Sequence, residues 1–174
     1  MELMLRALQF AADKHRQQKR KDGITPYINH PIAVTETLAR VGKITDMTVL
    51  LGGILHDTLE DTATTAEELT HHFGPTVAQL VQEVSDDKTL PKATRKQLQV
   101  EKAGSKSQPA KMLKLADLCC NITDLLTNPP PDWPLERRQE YLTWARRVAA
   151  GLRGSNPPLE KYLDDLIDRG VLYL

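Results

Sequence analysis

Asp46-Met47-Thr48-Val49-Leu50-Leu51-Gly52-Gly53-Ile54-Leu55-His56-Asp57 is the stretch on which the fold turns. Asp46 suits an N-cap, because its short carboxylate can accept the unpaired N–H groups of a first turn. Val49, Leu50, Ile54 and Leu55 then carry a helix as far as His56 and Asp57. Gly52 and Gly53 each cost about 1 kcal/mol relative to Ala inside a helix, so their expected use is close backbone packing. Glu60 and Asp61 follow at one-turn spacing from His56 and Asp57, which crowds four polar groups at one helix end.

Working outward, helical spacing recurs on both sides and no convincing period-2 strand appears. Leu3, Ala7, Leu8, Ala11 and His15 make one buried stripe over residues 2–18, which Lys19-Arg20-Lys21-Asp22-Gly23 breaks. Pro31 suits the first turn of a helix over 31–41 that Gly42 ends. Thr65 and Glu68 have capping-box spacing for a short helix ending near Gly74, and Pro75 opens another with Val77, Leu80, Val81 and Val84 inward. Further helices are expected over 93–102, 109–127, 135–153 and 158–169, with Pro129-Pro130-Pro131 and Pro157-Pro158 as stops. The expected class is all-α, in a single domain over 1–174.

The chain has 174 residues, 23 Lys+Arg against 23 Asp+Glu, 40% hydrophobic residues and two cysteines. A domain of this size buries roughly 70% of its unfolded surface, so it needs no disulfide staple. No apolar run approaches the ~18 residues of a membrane span, and Met1-Glu2-Leu3-Met4 lacks the basic and apolar regions of a secretory leader. No membrane partner is expected, and the cytoplasm is the expected compartment. Adjacent Cys119 and Cys120 have neither redox-motif nor zinc-ligand spacing and read as reduced core. The balanced charge argues against broad nucleic-acid binding; a basic strip over His15 to Lys21 that contacts RNA would show steep salt dependence without turnover.

His30, His56, Asp57 and Asp117 are four potential metal ligands of mixed type, far apart in sequence. Two imidazoles and two carboxylates completed by water suit a borderline-hard divalent ion such as Mn²⁺ better than a closed thiolate zinc site. Such an ion supplies hydroxide near neutral pH and offsets phosphoryl charge. A lone His before a Pro is ordinarily a packing residue, and an isolated His-Asp dipeptide is common. The acidic run Asp57, Glu60, Asp61 decides for the metal, because negative charge at a helix C-terminus opposes the macrodipole unless a cation is present. Glu60 and Asp61 are then placed for general acid–base work on the attacking water.

His30, Leu55-His56-Asp57-Thr58-Leu59-Glu60-Asp61-Thr62 and Leu115-Ala116-Asp117 through Asn121 resemble the HD superfamily. Thr25-Pro26-Tyr27-Ile28-Asn29-His30-Pro31, Asp86-Asp87-Lys88-Thr89-Leu90-Pro91-Lys92 and the Glu60-Asp61 pair are similar to the hydrolase domain of the RelA/SpoT homologues, above all the stand-alone small alarmone hydrolases. The resemblance extends over nearly the whole chain, whose length leaves no room for the synthetase and regulatory regions of the long members. It implies about ten helices around a Mn²⁺ held by His30, His56, Asp57 and Asp117. It also implies hydrolysis of (p)ppGpp at the 3′-pyrophosphate, giving GDP or GTP and pyrophosphate. Related substrates, (p)ppApp or the 2′-phosphate of NADPH, and a non-catalytic nucleotide-binding role are the alternatives.

By the same resemblance Glu60 and Asp61 are the catalytic pair and Asn121 lies near the ribose and the metal. Arg20 and Lys21 are implied beside the nucleobase and metal, and Lys92, Arg137 and Tyr141 towards the 5′-phosphates. Lys14, Arg16, Lys19, Arg146 and Arg147 read as solvated helix faces, and Tyr27 as either pocket wall or core. Leu118, Cys119 and Cys120 depart from the family, which usually carries a basic residue and then a bulky one there; Gly52 and Gly53 stand where Ala is more usual.

Overall fold

A computed structural model describes residues 1–173; Leu174, the last residue of the expected domain, lies outside them. The described chain runs α1 (Glu2–His15), α2 (Asn29–Arg40), α3 (Met47–Leu55), α4 (Thr58–Asp61), α5 (Ala66–Phe73), α6 (Pro75–Val84) and α7 (Lys92–Lys102). A 3₁₀ turn (Ala103–Ser105) leads to α8 (Gln108–Thr127), α9 (Leu135–Leu152) and α10 (Pro157–Tyr173). Among the described residues there is no strand, only an isolated bridge between Lys19 and Pro26. The all-α expectation holds, and no described helix is long and apolar enough to cross a membrane.

Helix α8 is the axis. It touches α2, α3, α6, α9 and α10, and its Leu113, Leu115, Leu118 and Ile122 are fully buried, each worth roughly 1.5–3 kcal/mol of apolar transfer. One core gathers α2, α8, α9 and α10; a second gathers Ala7 and Ala11 of α1 with Leu51, Leu55, Leu69 and Val81. Helix α3 lies where these cores meet, and its glycines allow that. A Cβ on Gly52 would stand 2.7 Å from Leu80 Cδ2 of α6 and 3.0 Å from Leu113 Cδ1 of α8. One on Gly53 would stand 2.6 Å from Thr35 Oγ1 and 3.0 Å from Leu38 Cδ1 of α2. The pair lets α3 wedge between its neighbours, and its C-terminal end reaches both the start of α2 and the middle of α8.

The last helix runs to Tyr173 rather than 169, and two other boundaries differ from expectation for a side-chain reason. α1 stops at His15 rather than near 18, because Gln18 turns back: its N–H bonds the His15 carbonyl and its Nε2 donates to the Asp61 carbonyl at 2.5 Å. α3 stops at Leu55 rather than running through Asp57. His56 Nδ1 donates to the Gly53 carbonyl at 2.9 Å and Thr58 Oγ1 to the Leu55 carbonyl at 2.7 Å, so two orphan C-terminal carbonyls are satisfied from the turn itself. Asp46 Oδ1 does cap α3, at 2.7 Å from Thr48 N, and Thr65 caps α5.

Candidate active site

Three helices deliver the predicted ligands to one gap. His30 lies in the first turn of α2, His56 and Asp57 just past α3, and Asp117 midway along α8. His30 Nε2 is 3.2 Å from Asp117 Oδ1 and 3.8 Å from Asp57 Oδ2; His56 Nε2 is 3.1 Å from Asp57 Oδ2 and 4.0 Å from Asp117 Oδ1. Ligands about 2.1 Å from a shared ion stand about 3 to 4.2 Å apart, which is the range observed. His30, His56 and Asp117 form a group whose donor atoms all lie within 4.8 Å of one another. Asp57 borders the same gap from the two imidazoles but stands outside that group of three.

The donor chemistry fits a cation. Nδ1–H of His56 is spent on the Gly53 carbonyl, which turns Nε2 inward, and that buried Nε2 has no hydrogen-bond partner, since neither carboxylate lies in line with it. Burial alone would lower the His56 pKa, yet the Asp57 and Asp117 charges outweigh it and push it up to about 9. Burial holds His30 below its ordinary value. Asp117 is held well below the carboxylate range: burial opposes this, and Lys114, at 2.9 Å from Oδ2, and His30 overcome it. With two carboxylates facing two imidazoles, the gap attracts positive charge, as a proton on His56 or as a metal ion.

The acidic pair sits at the edge of this gap. Asp61 N–H bonds the Asp57 carbonyl at 2.9 Å, so the one-turn relation survives although the long helix does not. The Tyr27 hydroxyl joins the two functions, lying 2.7 Å from Asp57 Oδ2 and 3.1 Å from Asp61 Oδ2. Burial and these carboxylates raise the phenol's pKa, so it remains a donor. Tyr27 is therefore part of the site wall, with its ring stacked on His15 at 4.9 Å. Glu60 Oε2 accepts the Asp86 N–H at 2.9 Å, which docks the 85–91 segment on the site, and burial raises the Glu60 pKa. Lys88 and Arg95 flank the pair, Lys88 Nζ on Asp61 Oδ1 and Arg95 Nη1 3.6 Å from Glu60 Oε1.

From the gap a cleft of about 1370 Å³, open to solvent, runs past Arg20, Lys21, Lys92, Lys96, Asn121 and Tyr141 to Trp144. Arg20 is tied to Asp124 Oδ2 at 2.6 Å and to Asn121 Oδ1 at 2.9 Å, and lies over the Tyr27 ring. An Asx turn sets that loop: Asp22 Oδ1 accepts from Ile24 and Thr25 N–H, each at 2.9 Å. Asn121 Nδ2 in turn donates to Asp117 Oδ1 at 2.5 Å. At the far end the Lys21 ammonium lies 5.0 Å and the Arg137 guanidinium 4.3 Å from the Trp133 ring, while Lys96 lies over Tyr141 and Trp144. Burial, then neighbouring cations, lowers the pKa of both Lys21 and Lys96. Their charges crowd one another.

Arg137 is the one predicted contact that does not line the cleft; it reaches this end only through Trp133 and its closeness to Lys21. Lys19, read as solvated, borders the cleft, and Lys14 pairs with Glu68 at 2.7 Å. Lys88, Lys96, Lys114 and Trp144 line the cleft without having been singled out, and Tyr27, left open between pocket wall and core, is wall. For Lys114 the signal was its three-residue spacing from Asp117 on α8. The family departures turn out to lie behind the site: Leu118, Cys119 and Cys120 are buried in the core, burial pushing the Cys120 thiol up to about 12.

The profile of the HD domain family matches residues 7–125. Guanosine-3′,5′-bis(diphosphate) 3′-pyrophosphohydrolase MESH1 of Xenopus tropicalis is 53% identical over 171 residues, covering 97% of this chain and 96% of the relative. The protein of that name from Homo sapiens is 53% identical over 170 residues, covering 97% and 95%. A solved structure described as a metazoan orthologue of SpoT that hydrolyses ppGpp and plays a role in starvation responses superposes with a TM-score of 0.94 at 46% identity, covering 97% and 96% of the two chains. By profile, relatives and superposition, the chain belongs to the HD-domain family, in the branch of the metazoan SpoT homologues.

Proposed function

We propose that residues 1–174 form one HD-type hydrolase domain that removes the 3′-pyrophosphate of (p)ppGpp with Mn²⁺ as its ion. One observation carries this reading: the cleft joins a buried two-imidazole, two-carboxylate gap at one end to a cluster of mutually repelling cations beside aromatic rings at the other. A nucleotide phosphorylated at two separate positions satisfies both ends at once. The relatives are named for that substrate class.

His30, His56, Asp57 and Asp117 would hold the ion, which when bound supplies a water of lowered pKa and offsets phosphoryl charge. Asp61 takes the proton of the attacking water, whose oxygen bonds to the phosphorus carried by O3′. The P–O3′ bond breaks, O3′ gains a proton as a hydroxyl, and pyrophosphate leaves. Glu60, with its raised pKa, is placed to carry that second proton. Arg20 orients the nucleoside from its tether on Asp124 and Asn121, and Lys21, Lys92 and Lys96, with Arg137 behind Trp133, attract the 5′-phosphates.

The test is a turnover screen of the purified protein with Mn²⁺ across ppGpp, pppGpp, the adenosine analogues and NADPH, with chelator controls. Turnover of the guanosine compounds to GDP or GTP and pyrophosphate, lost on chelation, is the expected result; binding without turnover favours a non-catalytic module. Arg137→Ala is expected to weaken 5′-phosphorylated substrates more than it slows saturated turnover.

Proton balance gives a separate handle on the ion. Without metal, a His56 pKa of about 9 leaves it protonated at pH 7, so an incoming ion must displace that proton. Each Mn²⁺ bound at pH 7 is expected to release about one proton, and affinity to weaken about tenfold per unit as pH falls below that pKa. Titration calorimetry in two buffers of different ionisation enthalpy measures the release. Affinity independent of pH between 6 and 8 would remove His56 from the ligand set.

A further inference from the structure

At the metal end of the cleft five carboxylates face three cations, Lys88, Arg95 and Lys114, an excess that one divalent ion only just offsets. Asp57, Glu60, Asp61, Asp86 and Asp117 all line it, and a 3′-pyrophosphate brings further negative charge, whose distal phosphate is the part an ion bound at the reacting phosphorus neutralises least. Most cations near this end are committed. Arg20 is held by Asp124 and Asn121, Lys114 by Asp117 at 2.9 Å, and Arg95 stands 3.6 Å from Glu60 and 3.7 Å from Asp86.

Lys88 differs. Its side chain is 48% exposed, and its ammonium rests on Asp61 Oδ1 and 3.5 Å from Glu60 Oε1, touching both members of the acidic pair. The backbone beneath it is fixed, because Glu60 holds Asp86 N–H and Asp87 Oδ1 accepts from the Thr89 N–H and hydroxyl. Movement is left to the flexible four-carbon stem. A half-exposed lysine–carboxylate pair is weak, whereas an ammonium–phosphate contact facing the cleft is charge-assisted on a more highly charged partner.

We propose that Lys88 reads the second phosphate of the 3′ group: on substrate entry its ammonium leaves Asp61 Oδ1 for the distal phosphate of the departing pyrophosphate. This rests on the 3′-pyrophosphohydrolase reading of the cleft. The exchange frees the carboxylate oxygen of Asp61 to accept the water's proton only when a distal phosphate is present, so Lys88 distinguishes a 3′-pyrophosphate from a 3′-monophosphate. No bond of the substrate changes in this step.

The experiment uses the Mn²⁺-loaded full chain and its Lys88→Met and Lys88→Arg variants. It measures KM and kcat for ppGpp, and inhibition constants for free pyrophosphate and for guanosine 5′-diphosphate 3′-monophosphate. Lys88→Met is expected to raise the ppGpp KM and the pyrophosphate inhibition constant about tenfold, the size of one charge-assisted contact, with the monophosphate constant unchanged. Lys88→Arg should restore most of the loss. Equal shifts for monophosphate and pyrophosphate compounds, or no shift in any, would overturn the assignment while leaving the hydrolase reading intact. A wild-type chain that turns over no 3′-phosphorylated guanosine nucleotide would remove both.

Discussion

Asp61→Ala is expected to slow turnover by roughly 10²–10⁴-fold, the usual weight of a positioned general base, while the metal stays bound. The Asp61 carboxylate reaches Asp57 through Tyr27, whose hydroxyl lies 3.1 Å from it and 2.7 Å from Asp57. Asp61 is not among the proposed ligands His30, His56, Asp57 and Asp117, so truncating it removes a proton acceptor and no proposed ligand. Its backbone is held independently, by the Asp57 carbonyl on one side and the Gln18 amide on the other. The local turn therefore survives the substitution. Steady-state rates with Mn²⁺, together with elemental analysis of the same preparation, give both quantities. Unchanged rates would exclude Asp61 from the chemistry, and loss of metal would make it a ligand. Asp61→Asn provides the control for shape, since an amide oxygen can still accept from Tyr27 but cannot take a proton from water.

The helices were legible in the sequence because their starts are encoded locally. Asp46, Thr65 and Pro75 mark helix starts by chemistry that acts within one turn, and the structure places α3, α5 and α6 where those residues put them. The glycine pair was legible for the same reason: a cost of about 1 kcal/mol each in a helix interior implies a close approach, and the approach is to Thr35, Leu38, Leu80 and Leu113. The end of α3 was not, because a helical pattern does not reveal that His56 and Thr58 turn their side chains back onto its last carbonyls. Tyr27, open between pocket wall and core, and Lys88, not read as a site residue, were hard to place for a different reason. Each acts from an irregular segment on carboxylates 27 to 34 residues away, and no periodicity links them. The family departures needed only the helical stripe of α8. Lys114, Asp117, Asn121 and Asp124 recur at three and four residues, so 118–120 must face elsewhere, and they pack in the core.

Asp117→Ala is expected to cost both the metal and a large share of the fold's stability, because Asp117 is where the two are joined. Its Oδ1 faces His30 Nε2 at 3.2 Å and accepts from Asn121 at 2.5 Å, and its Oδ2 accepts from Lys114 at 2.9 Å. Removing the carboxylate leaves the Lys114 ammonium in a mostly buried position without its partner, a change of the kind that costs about 3–5 kcal/mol. For a chain of this length that corresponds to a fall in melting temperature of ~10 °C. Asp117→Asn separates the two effects. The amide oxygen can still accept from Lys114, so less stability is lost, yet the negative charge that draws a cation is gone. Elemental analysis should then show low metal occupancy in both variants, and thermal melts should show the larger loss in Asp117→Ala alone. Added Mn²⁺ should raise the wild-type melting temperature by mass action and leave both variants where they were. Stoichiometric metal in Asp117→Ala would mean that the ion, where one binds, sits away from the junction of α2, α3 and α8.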